Sequence, residues 1–343
     1  LIKNGNEKIS LLSNLRDKVL DSGSIGKDTT NTYSLRVWID SEAGNEVMGT
    51  VISKQLRVSA EQVSTTAMCR RAKILHSEIC TNNTDATYFC QADGYSIGSE
   101  IEYGSLGTEG TLTSGDAFDC DVNGDGVYDS ETERFYYVSD VTNGITTDNN
   151  TAVLIYYNNV SGGVPNNTKT YAYDSTGENW HGPQTAVAQL PTTSQWKTTL
   201  TNTQRQITNN NSTTTTTGGD LPVFSYEGYA ARLLTLQEVR LGCGSNLPTW
   251  KAGELSTKCK YLLENTRYAN SNRTATGEWL ENPRADNSNY AWIVSGGSRF
   301  VSTNNANDAG TRGVRPAIEV AKSDISYWWL FKLFIKLNMS KKS

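Results

Sequence analysis

Histidine, methionine and proline are scarce in this chain, and its basic residues never gather into a block. The two histidines in 343 residues, His76 and His181, lie far apart in sequence, which leaves little material for imidazole-based catalysis. Neither a nucleophile elbow nor a His-Glu-x-x-His helix occurs, which speaks against the common hydrolase arrangements and for a protein that is not an enzyme. Cys-x-x-Cys spacing is missing too, against zinc and thioredoxin-type motifs. Net charge is only −5, and without a basic patch no nucleic-acid partner is expected. The longest apolar cluster, Tyr327 to Leu337, has eleven residues interrupted by Lys332 and Lys336. That is too short to span a bilayer; it suits a membrane interface or frameshift or read-through residues. No charged-then-apolar leader precedes Leu1, which reads as a processed or truncated N-terminus.

Asn, Thr, Ser and Gly fill the space instead. The hydrophobic share is 36%, yet 17 Tyr and 8 Trp are present, a balance that fits a loop-rich, strand-rich surface protein better than disorder. The six cysteines, Cys69, Cys80, Cys90, Cys120, Cys243 and Cys259, read as disulfides in an exported protein. Six cysteines allow 15 pairings. Proximity in sequence favours Cys243–Cys259, Cys90–Cys120 and Cys69–Cys80.

Along the chain, residues 7–21 have helical apolar spacing, and Tyr33–Asp40 with Val51–Val58 read as a hairpin. A possible strand at Thr87–Phe89 precedes a glycine-punctuated stretch. Glu133–Val138 and Ala152–Tyr157 form a second hairpin. Pro191–Leu200 reads as the start of a helix with Ser194 as cap, and Asn209–Asp220 as a polar surface loop. Thr235 and Glu238 form a capping box, in which each side chain satisfies a backbone N–H of the helix's first turn. A third hairpin joins Tyr290–Val294 to Arg299–Val301, and the last strand is Val314–Val320. The domains expected are a pilin-like or stalk remnant (1–62), a connecting disulfide-bearing region (63–115), a C-terminal domain (116–323) and a tail of doubtful origin (324–343).

Tyr33-x-Leu35-x-x-Trp38-Ile39-Asp40 and the strand after it resemble the closing strands of Firmicutes pilin-like and biofilm-matrix surface proteins. Ala231-Arg232-Leu233-Leu234-Thr235-x-x-Glu238-Val239, Trp279-Leu280-x-x-Pro283, Ala291-Trp292-x-Val294 and Gly313-Val314-Arg315-Pro316-Ala317 resemble a family of gut-clostridial surface proteins. Their terminal domain is similar to the C-type-lectin-like fold of formylglycine-generating enzymes and of the variable proteins of diversity-generating retroelements. The resemblance spans about residues 116–323 and implies an α+β, β-rich fold with a C-type-lectin-like C-terminal domain. It carries over no catalytic residue: formylglycine chemistry needs a reactive cysteine pair near the C-terminus, and the last cysteine here is Cys259.

Two segments carry recognition chemistry. Asp121-x-Asn123-x-Asp125-Gly126 places oxygen ligands at alternate positions with a glycine for the sharp turn, and Asp129 falls ninth, as in a calcium loop. The twelfth position is Thr132, so the closing Glu is missing, with Glu131 and Glu133 as substitutes; the alternative is a turn with solvated carboxylates. Calcium is therefore a possible rather than a required cofactor. The second segment, 284–312, offers Asp286, Asn287, Asn289, Tyr290, Arg299, Asn304, Asn305, Asn307 and Asp308. Tyr and short polar side chains make adaptable recognition surfaces, and in retroelement-diversified proteins such residues arise from Asn codons; the alternative is a polar loop on a stable scaffold. His181 reads as surface decoration, and Arg315 as a lock on the last strand. The function expected is an adhesin-like module displayed on the bacterial cell surface that recognises an extracellular protein or glycan. The alternative is a structural pilin-like or matrix subunit that packs against neighbouring surface-protein subunits.

Overall fold

The computed structural model describes residues 2–3, 6–7, 33–34, 53–58, 67–81, 90–108, 110–142, 147–206, 223–243, 255, 258–284, 286–295, 300–326 and 333–338. Of the helix expected over 7–21 only Glu7 is described, and it lies in the strand Asn6–Glu7; the strand at Thr87–Phe89 and the polar loop 209–220 lie outside the described residues. The chain divides into two compact units, residues 1–65 with 328–343 and residues 66–327.

In the first unit Ile2–Lys3 pairs antiparallel with Asn6–Glu7 and with Tyr33–Ser34. Ser53–Val58 pairs antiparallel with Leu333–Asn338. The described parts of the hairpin expected between Tyr33 and Val58 thus take other partners. A strand's backbone groups accept whichever edge the fold presents, and local spacing does not choose it.

The second unit is β-rich, and among its described residues α-helix occurs in short pieces such as Gln184–Val187 and Leu236–Cys243. A six-stranded sheet runs in the order Ala317–Ala321, Thr147–Tyr156, Arg134–Thr142, Ala117–Cys120, Cys69–Arg71, Ile325–Ser326. Its pairings are antiparallel except the last, which is parallel. Cys69–Arg71, from the stretch expected as a connecting region, is therefore a strand of the same sheet as Ala117–Cys120. Only Lys322–Asp324 separates the two edge strands in sequence. Four residue steps reach at most about 14 Å, whereas five strand spacings across a flat sheet need roughly 24 Å. The sheet therefore curls.

Both faces of this sheet are buried, which explains why its strands read as nearly continuous apolar runs. Phe135, Leu154, Tyr156 and Ile318 pack on one side with Trp196 and Trp279. Tyr136, Val138, Val153 and Ile155 pack on the other with Leu236, Val239 and Tyr261. The period-2 alternation of side chains splits each strand between the two cores. A second, three-stranded antiparallel sheet joins Gly277–Pro283, Tyr290–Ser295 and Phe300–Asn305.

Pro191–Leu200 forms no helix. Gln195 Oε1 accepts bonds from Thr192 N (2.9 Å) and Thr192 Oγ1 (3.1 Å), and this local turn competes with helical pairing. It delivers Trp196 between Phe135 and Tyr156, with ring centroids 5.6 and 5.3 Å away. The capping box is present at Leu236–Cys243: Thr235 N donates to Glu238 Oε2 (2.9 Å), and Glu238 N donates to Thr235 Oγ1 (3.1 Å). Glu238 also pairs with Arg232 (2.6 Å), whose Nε reaches Glu319 on the edge strand at 2.6 Å. This buried carboxylate–guanidinium–carboxylate triad ties the helix entry to the sheet.

The cysteines pair as Cys69–Cys120, Cys80–Cys90 and Cys243–Cys259. The first two replace the pairings Cys90–Cys120 and Cys69–Cys80. Cys69 and Cys120 are register partners on neighbouring antiparallel strands, so the sheet brings together two residues that the sequence separates. With no cysteine left free, the disulfides place the protein outside the reducing cytoplasm. Among the described residues, no helix is long and apolar enough to cross a membrane.

Candidate functional site

The loop 174–182 is built around two pinned side chains. Asn179 donates from Nδ2 to the carbonyls of Arg284 (2.9 Å), Asn287 (2.8 Å) and Tyr290 (2.5 Å), and its backbone N–H reaches Ser288 O at 2.7 Å. Asp174, also buried, receives Thr176 Oγ1 at 2.7 Å and sits 2.7 Å from His181 Nδ1. These bonds fasten the loop to the second sheet and present the two residues after Asn179 to a groove. The groove, of about 530 Å³, is lined by Trp180, His181, Gln184, Val187, Phe224, Ser225 and Tyr229. The Trp180 ring lies against the His181 ring, with centroids 3.8 Å apart, and its indole N–H donates to Glu178 (2.9 Å).

His181 is thus more than surface decoration: its side chain is 29% exposed, held by Asp174 and turned to the groove. Aromatic walls with a few polar groups are the usual make-up of a small-molecule site. The sequence reading missed Trp180, Phe224 and Tyr229 because they come from separate turns and a short strand with no shared spacing. The signal available was the Trp180-His181-Gly182-Pro183 turn.

Much of the polar segment 284–312 holds itself together. Asp286 pairs with Arg284 at 2.6 Å, a bond that holds its carboxyl below the ordinary value. Asn287 Oδ1 accepts the N–H of Asn289 (3.0 Å). Asp308 receives Asn304 Nδ2 (2.5 Å), Thr311 Oγ1 (2.6 Å) and Gly310 N (2.8 Å). Burial pushes the Asp308 carboxyl up, but these bonds and the Arg312 charge outweigh it and leave it lowered. Asn289, Asn305 and Asn307 are exposed and Tyr290 is half-buried. Tyr290 and Asn305 face each other across the strand pair, and Asn289 accepts from Ala306 N at 2.8 Å. Asn307 packs beside Gly177 of the groove loop. The four therefore gather next to the groove loop, while Arg299 lies outside the described residues.

The loop between Ala117–Cys120 and Arg134–Thr142 carries the candidate calcium residues. Asp121 accepts Gly124 N and Gly126 N, both at 2.9 Å, and Asn123 Oδ1 accepts Asp125 N (2.8 Å). Gly126, at φ +82°, adopts the left-handed conformation that makes glycine the fitting residue there. Asp129 Oδ1 accepts Glu131 N (2.8 Å) and so caps the next turn. Glu131 is exposed, whereas Glu133 is 3% exposed. Glu133 Oε2 accepts Asp129 N at 3.1 Å, and its Oε1 has no hydrogen-bond partner. Burial pushes the Glu133 carboxyl up to about 7; the Asp121 and Asp125 charges add to this, against the N–H groups of Asp129 and Asn123. Among the described residues, no three His, Cys, Asp or Glu side chains already converge as a metal-ligand group.

Comparison of the chain with protein-family models, with curated proteins and with solved structures gives no match. The site is therefore read from its own geometry.

Proposed function

We propose that this protein is an adhesin-like binding module displayed at a bacterial cell surface, and that it recognises an extracellular glycan without chemical turnover. The observation that carries this reading is the aromatic groove of Trp180, His181, Phe224 and Tyr229, whose loop is bonded to the carbonyl of the half-buried Tyr290 and lies beside the exposed Asn289, Asn305 and Asn307. Sugar rings offer apolar C–H faces and a rim of hydroxyls. An aromatic wall suits the first, and Asn and Tyr side chains suit the second. The C-type-lectin-like and pilin-like resemblances belong to the same reading. Support comes from the six-stranded and three-stranded sheets of the second unit and from the Cys243–Cys259 bridge.

The test is a glycan array probed with the whole chain and with Trp180→Ala, a half-buried position at the edge of the core, the variant's fold being checked by its thermal unfolding. Saturable binding to a glycan class, weakened at least about tenfold in the variant, is the expected result. Binding to surface proteins alone moves the partner from glycan to protein. The alternative, a structural subunit, draws on Ile74, Ile79, Ile97 and Leu106, four exposed aliphatic side chains from one stretch of chain; ligand-free polymerisation of the purified protein favours it.

A further inference from the structure

We propose that residues 121–133 form a calcium site in which the Glu133 carboxylate, one residue beyond the usual closing position, completes the ligand set of Asp121, Asn123 and Asp125. The alternating oxygen side chains alone are a common turn, and the carboxylate–backbone bonds within the loop are what any Asx-rich turn makes. Glu133 is the independent observation. It is 3% exposed, and one of its carboxylate oxygens meets no donor. A buried carboxylate oxygen left bare costs free energy on the order of kcal/mol, so such atoms ordinarily have partners. The carboxylate is held against the loop, because its other oxygen, Oε2, accepts the Asp129 N–H at 3.1 Å, and the Asp121 and Asp125 charges act on it.

A hard cation with oxygen ligands neutralises the crowded negative charge and gives Glu133 Oε1 its missing partner. Glu131 is exposed and so carries no such buried oxygen in need of a partner. Calcium also fits better than magnesium, because a loop of mixed carboxylate, amide and backbone oxygens suits flexible coordination of six to eight ligands. The loop joins two strands of the main sheet, and Cys120 of the first is bridged to Cys69. Lys197 lays its chain on Gly124 and donates its N–H to Val122 O (2.6 Å), next to the core residue Trp196. The ion therefore braces the turn between central strands, a structural role independent of the groove.

The experiment is calorimetric titration of calcium chloride into chelator-treated whole protein, with thermal unfolding run in parallel. Glu133→Gln and Glu131→Gln are compared with wild type. One calcium per chain is expected, with Kd on the order of 10⁻⁴–10⁻³ M as for extracellular modules, and a Tm that rises with calcium. Glu133→Gln keeps the shape of the side chain and removes its charge. It should fold at least as stably as wild type without calcium, lose about tenfold or more in affinity, and lose the calcium-dependent Tm rise. Glu131→Gln should bind as wild type does. Absence of heat and Tm shift at about ten times that Kd range overturns the proposal. So does binding that Glu133→Gln leaves unchanged, or that Glu131→Gln abolishes.

Discussion

At the scale of single residues, the protein buries several charges and satisfies them unequally. Arg232, fully buried, has carboxylates on two sides. Arg315, just ahead of the strand Ala317–Ala321, is buried and donates to the carbonyls of Tyr156 and Tyr261. Glu278 is less satisfied: both its carboxylate oxygens lack hydrogen-bond partners, and Arg315 stands 3.9 Å off. Burial pushes its carboxyl from 4.5 up to about 7, with Arg315 and Arg312 pulling only partly back. A folded-state pKa above the unfolded one means the native state holds the proton more tightly. That contribution to stability is fully present below pH 4.5 and is lost as pH rises towards 7. Glu278→Gln, uncharged throughout, should therefore be more stable than wild type at pH 8 by up to about 3 kcal/mol. The gap should shrink to near zero at pH 4. Urea unfolding of both proteins at the two pH values checks this, and a gap independent of pH counts against it.

At the scale of elements, the local signals that proved reliable are those whose partners lie within a few residues. The capping box is one. Its Thr235 is buried, so Thr235→Ala leaves the Glu238 N–H without its acceptor in a site that water does not reach. A loss of about 1–2 kcal/mol is expected in chemical denaturation; Thr235→Ser, which retains the hydroxyl, should recover most of it. The hairpins Arg134–Thr142 with Thr147–Tyr156, and Tyr290–Ser295 with Phe300–Asn305, were equally legible from apolar runs around polar loops. The turn at Pro191–Leu200 was not, because Ser194 has a cap's chemistry while Gln195 and the buried Trp196 settle the backbone. Nor was the pairing of Ser53–Val58, whose partner strand Leu333–Asn338 lies at the other end of the chain.

At the scale of the whole molecule, the Cys69–Cys120 bridge closes a 51-residue separation and Cys80–Cys90 only 10. Replacing the first pair by alanine should cost about 4 kcal/mol and the second about 3, because a longer loop loses more entropy when it is closed in the unfolded chain. Unfolding midpoints of the two double variants test the order, and the reverse order would show native-state strain outweighing loop entropy. Composition and spacing were enough to give a β-rich protein with oxidised cysteines, its longer hairpins, its capped helix and the Cys243–Cys259 pair, since these follow from side-chain periodicity and short chain separations. The tertiary structure alone decided the other disulfides, the groove of Trp180, Phe224 and Tyr229, and the burial of Glu133 rather than Glu131. Each depends on strand register and on which face of a curled sheet a residue meets, and neither register nor curl is written in the spacing of neighbouring residues.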